Sequence, residues 1–366
     1  RFLLFSIGLA YILENKSYFV KSFAYSLWFC VIIVTLDGYF QFIFGYNIFG
    51  WEKLDPIRIS SFFKEELILG SYLSRLLPLC FLLIFFLNKD FLKKIIFIIF
   101  CILLIMIDVL IYLTGERTAF VFLFLSTLTI ILTVPNFRLI RIGTFAISLI
   151  AILLITINNN AVKDRMVNFT LEQTGITSGN HYPSNSSSKI VAFSPAHQLH
   201  YESAYLIFLD SPLFGQGPKM FRELCGVKKY DVFYYNPSQS CDAPTCACST
   251  HPHNTYIQLL AETGIIGAIL VSILFFIISY YLFKQFLLIN FFKKNFLDVK
   301  LIFVLISFLI TLWPLAPSAN FFSSWINAIY YLPLGFYLFL KKDSLFLLYP
   351  RKIKMDNDEN KNPNTG

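Results

Sequence analysis

Charge is scarce in this chain. Asp, Glu, Lys and Arg make up 14% of its 366 residues, against 56% hydrophobic ones. A soluble domain carries about a quarter of its residues as charges, so a soluble globular protein is excluded. Acidic metal motifs are scarcer still. The single Asp-x-Asp is Asp356-Asn357-Asp358, in a polar tail that reads as disordered. A metal-bound nucleotide-sugar site therefore has no place in the sequence, and no cofactor is implied. Histidine occurs five times, and two of the five, His251 and His253, share one short stretch. The formal charge of +8 does not indicate nucleic-acid binding, because the Lys and Arg lie between apolar runs, where they set membrane topology. What the chain has in quantity is aromatic and aliphatic surface, including 42 Phe and 20 Tyr.

Apolar runs occur at about 2–13, 18–36, 67–87, 95–113, 118–134, 143–157, 264–283, 300–313 and 323–340. This pattern predicts an all-α, polytopic integral membrane protein. Alternate connections differ in charge. One set holds Lys16, Lys21, Lys89, Lys93, Lys94, Arg138, Arg141, Lys284, Lys293, Lys294 and Lys300. The short loops of the other set hold only Lys53, Arg58, Lys64 and Arg117. The basic set is expected to face the cytoplasm. The chain divides into N-terminal membrane helices (1–157), a long outer segment (158–263), C-terminal membrane helices (264–340) and a cytoplasmic tail (341–366). The run Phe2–Leu13 is shorter than the roughly 20 residues a span needs, so the N-terminus is expected to be incomplete. Within the long segment, Asn158–Asn160 and Ser184–Ser188 read as loop, and about 196–210 as helix.

Cys30, Cys80 and Cys101 fall in apolar runs and read as small packing residues, whereas Cys225, Cys241, Cys246 and Cys248 all lie in the long segment. In an oxidising compartment one or two disulfides are expected there. Three pairings are open, with Cys246–Cys248 sterically the least favoured. A zinc site drawn from Cys241, Cys246, Cys248, His251 and His253 is the competing reading of the same residues.

The stretch His251–Gly264 is a polar helix placed directly before an apolar run. Pro252 suits a first helical position, and Gly264 suits a left-handed closure. Asn254, Gln258 and Glu262, four apart, share one face. A neutral imidazole can accept a proton from a hydroxyl, and a helix start offers unpaired N–H groups to a phosphate. The ordinary alternative is a pair of histidines that cap a loop. Arg117 sits in a very tight turn, where it could snorkel to lipid headgroups or grip phosphate with two prongs.

These residues resemble the signature of the O-antigen ligase/polymerase superfamily. The resemblance rests on His251–Gly264, on Gly115-Glu116-Arg117-Thr118-Ala119, and on Asp210–Gly217 followed by Phe221-Arg222. It implies a helical bundle like the C-type glycosyltransferases, with a large, mainly helical periplasmic segment, in a bacterial inner membrane. The implied reaction moves a glycan from undecaprenyl diphosphate to an acceptor hydroxyl, with inversion and without metal. The acceptor is a lipid A core sugar in a ligase, or a second lipid-linked glycan in a polymerase; the shared signature does not separate them. Membrane lipids are the other implied partners.

The resemblance marks His253 as the histidine that orients or deprotonates the acceptor, and Arg117 as the diphosphate clamp. Arg58, Lys219 and Arg222 are further candidate cations. His251, Asn254, Gln258, Glu262 and His200 are candidate substrate contacts, with Asn254, Gln258 and Glu262 serving either to bind sugar or to position the histidine. Many relatives carry an arginine near the start of the helix before the Pro-Leu-Phe-Gly turn; this chain has His197 and His200 there. A transporter is the reading from another class. It would need charges inside the membrane, and Arg75 and Asp108 are the few candidates.

Overall fold

The computed structural model describes residues 2–53, 58–87, 94–173, 194–230, 232 and 248–345. Among them there are helices and no strand. The helices are α1 (Phe2–Asn15), α2 (Ser17–Phe44), α3 (Leu69–Ile84), α4 (Lys94–Leu113), α5 (Arg117–Thr133) and α6 (Pro135–Asn158). Short α7 (Asn160–Lys163) and α8 (Phe169–Gln173) follow, then α9 (Pro195–Asp210) and α10 (Phe221–Leu224). The chain closes with α11 (Thr255–Phe291), α12 (Val299–Thr311) and α13 (Ser324–Leu345).

Each of the nine apolar runs is a helix. α2, α4, α6 and α11 are long and apolar enough to cross a membrane. α3 and α12 occupy the centre, where nearly every side chain is buried; Leu79, Phe81, Phe303 and Val304 are fully enclosed. The longer helices surround this pair and turn Ile, Leu and Phe outward, including Leu139, Leu154, Leu270 and Phe276. Outward apolar surface of this kind is stable against lipid, not against water.

α2 and α6 are longer than the hydropathy pattern indicates, as are α11 and α13 at their C-terminal ends. α2 continues to Phe44 because its polar residues face inward. Asp37 accepts from the Ile48 amide (2.9 Å) and the Ser61 hydroxyl (2.5 Å), and Gln41 Oε1 accepts from the amides of Ser60 and Ser61 (3.0 and 2.7 Å). α6 begins at Pro135, so Arg138 and Arg141 are helical residues and not loop charges. Arg138 donates to the Ile131 carbonyl and to Asn290. Arg141 is wholly buried against Asp108, which removes it from the topology count and ties Asp108 into the bundle.

α11 joins the polar motif helix to an apolar helix across Gly264, whose φ of 68° and ψ of −171° are not helical. The expected stop at Gly264 is thus a kink. A Cβ there would lie 2.2 Å from the Leu213 carbonyl oxygen, so only glycine fits. The helix also starts later than Pro252, at Thr255, because Asn254 caps it by accepting from the amides of Tyr256 and Ile257.

The described residues of four connections meet at one end of the bundle: those of 45–68, 114–116, the 159–254 segment and 312–323. Hydrogen bonds join them, among them Arg165 Nε to the Gly115 carbonyl, Ser318 N to the His253 carbonyl and Asn254 to the Pro314 carbonyl. At the other end, Asn290 on α11 donates to the Leu132 carbonyl, and the Lys300 ammonium lies over the Phe86 ring.

Candidate functional site

The turn Thr114-Gly115-Glu116 gathers three guanidinium groups. Gly115 has φ 71°, and a Cβ there would sit 3.4 Å from the Cγ atoms of both Arg58 and Arg165. Arg117, the first residue of α5, lies over the Phe169 ring at 5.3 Å and donates to the Thr170 hydroxyl at 3.4 Å. Arg165 lies over the same ring at 5.5 Å and donates Nε–H to the Gly115 carbonyl at 3.4 Å. Arg58 donates to the Leu67 carbonyl at 3.3 Å. The acid of the turn, Glu116, serves the start of α3. It accepts from the amides of Gly70 (2.7 Å) and Ser71 (3.1 Å) and from the Ser71 hydroxyl (2.7 Å). A carboxylate at a helix N-terminus is well placed electrostatically.

Four of the five histidines form a cluster beside this turn; His181 lies outside the described residues. Ring centroids of His253 lie 4.1 Å from His251, 5.3 Å from His197 and 5.5 Å from His200. His197 is also within electrostatic reach of Arg117. The cluster thus has contributions from the start of α9 and from the loop before α11. Burial, and then repulsion within the cluster, holds His197 and His251 near about 4 and His253 near about 3. The backbone carbonyl of Ser318 opposes the shift at His251.

The two motif histidines differ in what they can do. His251 donates Nε2–H to the Ser318 carbonyl at 3.1 Å, and its Nδ1 accepts from the Thr250 hydroxyl at 2.9 Å. Both ring nitrogens are engaged, so His251 fixes the loop. His253 uses one, Nε2, which lies 3.1 Å from the Ser249 hydroxyl. Its Nδ1 has no partner among the described residues. Its backbone sits at φ 58°, held there by the bond from Ser318 N to its carbonyl (2.8 Å). A non-glycine residue in this region marks a place where surrounding structure dictates the conformation.

The polar face of the motif helix turns inward. Gln258 and Glu262 are fully buried. Gln258 donates to Glu262 (3.1 Å) and Asn320 (2.8 Å) and accepts from the Phe321 amide (2.9 Å). Glu262 accepts from the amides of Lys219 (2.9 Å) and Phe221 (3.2 Å). Gln216 N and Gly217 N donate to the carbonyls of Ala261 and Glu262. A Cβ at Gly215 would meet the Glu262 carbonyl carbon at 2.4 Å. The Gly-rich turn is therefore built to lock onto α11, and these amides face protein. Of the roles open to Asn254, Gln258 and Glu262, holding the histidine loop is the one their bonding supports. Lys219 and Arg222 are exposed, and Arg222 is near enough for its charge to be felt at His251.

Cys225 and Cys248 form a disulfide that ties the histidine loop to α10. This removes Cys248 from the zinc alternative; Cys241 and Cys246 lie outside the described residues. No group of three or more His, Cys, Asp or Glu able to hold a metal occurs among the described residues. Sequence reasoning missed Arg165, which lies in a polar stretch without a motif, and gave His197 no role in the site. The three-residue spacing of His197 and His200, which puts both on one face of α9, was the available signal.

Among the described residues a helical bundle with arginines and imidazoles gathered at one end defines the class: a polytopic membrane protein. The family model described as O-Antigen ligase matches residues 101–272, a span that contains Arg117, Arg165 and all four clustered histidines. The match supports the O-antigen ligase superfamily for this part of the chain. No curated protein and no solved structure matches it.

Proposed function

We propose that this protein transfers a glycan from undecaprenyl diphosphate to an acceptor hydroxyl on the periplasmic face of a bacterial inner membrane. The carrying observation is convergence: Arg117 and the histidine loop come from separate parts of the chain and meet at one end of the bundle. The diphosphate leaving group sits against Arg117, with Arg58 and Arg165 beside it, and guanidinium forks match phosphate oxygens in pairs. Three cations gathered around one turn favour an anionic ligand. A single displacement inverts the sugar linkage, and the arginines stabilise the departing charge without metal.

His253 stands at the acceptor side. If Ser249 accepts from Nε2–H, the Nδ1 lone pair is available as base; the opposite assignment makes Nδ1–H a donor that orients the acceptor. Its depressed pKa keeps the ring neutral when the site is empty, and a bound diphosphate raises its basicity. Asn254, Gln258 and Glu262 hold that ring's loop through the bonds to 314–321 and to 219–221. The ligase reading, with a lipid A core sugar as acceptor, is preferred to the polymerase reading.

The transporter reading has less support, because the buried Asp108 is paired with Arg141 and does not line a path. Deletion of the gene tests the assignment through the surface glycolipid. A bare core with long lipid-linked chains accumulating is the ligase outcome, and a core with one repeat is the polymerase outcome. Normal glycolipid contradicts both.

A further inference from the structure

The turn Pro212-Leu213-Phe214 follows α9 and carries the two most exposed large apolar side chains described in the outer segment. Leu213 is 59% exposed and Phe214 72%. The backbone of the turn is nevertheless fixed to α11. The Ile265 amide donates to the Pro212 carbonyl at 2.8 Å, and the Ile266 amide to the Leu213 carbonyl at 3.5 Å. Gly264 packs on the backbone of Leu213 and Phe214, and Gly215 on that of Glu262–Gly264, with no room for a Cβ at either glycine. A turn held this firmly, with its two largest side chains pointing away from the protein, is built to present them to something else.

Its height on α11 says what that is. α11 is long and apolar enough to cross a membrane, and its unbroken apolar stretch begins at Ile265, directly after the kink. From Ile265 to Phe283 the stretch holds about 19 residues and rises about 28 Å, the thickness of a bilayer's hydrocarbon, and Lys284 follows it. The turn is bonded to the first two residues of this stretch, so it lies at the boundary where α11 enters the hydrocarbon. Ile265, Ile266, Ile269 and Leu270 are exposed there, and Leu213 and Phe214 continue the same apolar surface. Charged groups flank the turn. Asp210 pairs with Lys229 and accepts from the Tyr230 hydroxyl at 2.5 Å, and Lys219, whose amide donates to Glu262, is exposed. Apolar side chains at the membrane boundary beside charges that stay in water are the mark of an interfacial anchor.

We propose that Leu213 and Phe214 are immersed in the acyl chains of the bilayer and anchor the outer segment to the membrane at the foot of α9. A second copy of the chain is the other cover for such a patch; continuity with the lipid-facing surface of α11 favours lipid. The start of α9 carries His197 and His200 beside His253, so the anchor holds the far end of a helix that contributes to the histidine cluster. The proposal needs only a membrane-spanning α11 and stands apart from the transfer reading.

The test is the fluorescence of Phe214→Trp in the full-length protein, one copy per phosphatidylcholine nanodisc, read as the difference from the parent with its four tryptophans. The added indole should emit in the blue and be quenched when the lipid is replaced by phosphatidylcholine brominated on its acyl chains. Absence of bromolipid quenching overturns the proposal, whether the indole then proves open to acrylamide in water or is covered by protein. Phe214→Asp probes the same contact through the backbone, because aspartate is costly in hydrocarbon and costs nothing in water. Hydrogen exchange at the Ile265 and Ile266 amides should rise about tenfold or more as the turn lifts, and Phe214→Leu should leave it unchanged. Unchanged exchange in the aspartate variant contradicts immersion in lipid.

Discussion

Arg141 and Arg117 carry the same guanidinium group in opposite settings. Arg141 is wholly enclosed by α4, α5 and α6. Two of its nitrogens donate to the Asp108 carboxylate at 2.8 and 2.9 Å, and Nε donates to Thr127 at 3.0 Å. The Ser148 hydroxyl donates to the same carboxylate at 3.1 Å. Charge cancels and the donors are matched, so the group ties three helices together. Arg117, Arg165 and Arg58 are only half-buried, with a shared aromatic ring and long bonds to a hydroxyl and two carbonyls. The carboxylate among them is bonded to α3. A single enclosed cation fully matched by one carboxylate reads as structure; several half-buried cations gathered around one turn read as a candidate binding site.

The largest effect should come from breaking the matched pair. Arg141→Met leaves Asp108 buried and unpaired, which costs about 3–5 kcal/mol. The variant should be lost as a monodisperse protein in detergent, and Asp108→Leu added to it should restore much of the loss. A stable single variant would erase the contrast between the two arginine settings. Cys248→Ser comes next. It releases a loop of 23 residues and should lower stability by about 3 kcal/mol, read as a fall in the thermal unfolding midpoint. The effect belongs to the histidine end and should leave the Asp108–Arg141 end unaltered.

His253→Ala should slow glycan transfer by about a hundredfold or more without altering membrane insertion. Retained transfer would remove the ring from the mechanism. Arg117→Lys keeps the charge and loses the fork, and should lower transfer by about tenfold. Near-normal rates with lysine would mean that charge alone suffices there, and would bring the two arginine settings closer than the present account allows.

Hydropathy located all nine apolar helices, because lipid-facing and core-facing residues are alike apolar. It misplaced the ends of α2 and α6 because Asp37, Gln41, Arg138 and Arg141 are polar residues satisfied inside the bundle, and a sequence window cannot see their partners. The motif histidines and Arg117 were singled out as candidates by the family resemblance, since residue type and spacing alone left loop capping and lipid snorkelling open. The inward turn of Gln258 and Glu262 was not legible, since a spacing of four gives a shared face but not its direction. Arg165 was invisible because only the fold brings it to the Gly115 turn. The kink at Gly264 was half legible. Glycine signalled a break, but not that the chain resumes as helix beyond it with the Leu213 backbone packed against Gly264.

The most direct test is a cryo-EM map of the protein in a lipid nanodisc with a short-prenyl diphosphate sugar bound. The account predicts the diphosphate within hydrogen-bonding reach of the Arg117 fork, on the side of the Gly115 turn where Arg58 and Arg165 lie, with the Asp108–Arg141 pair undisturbed. A diphosphate seated away from Arg117, or one that draws Arg141 off Asp108, would contradict it.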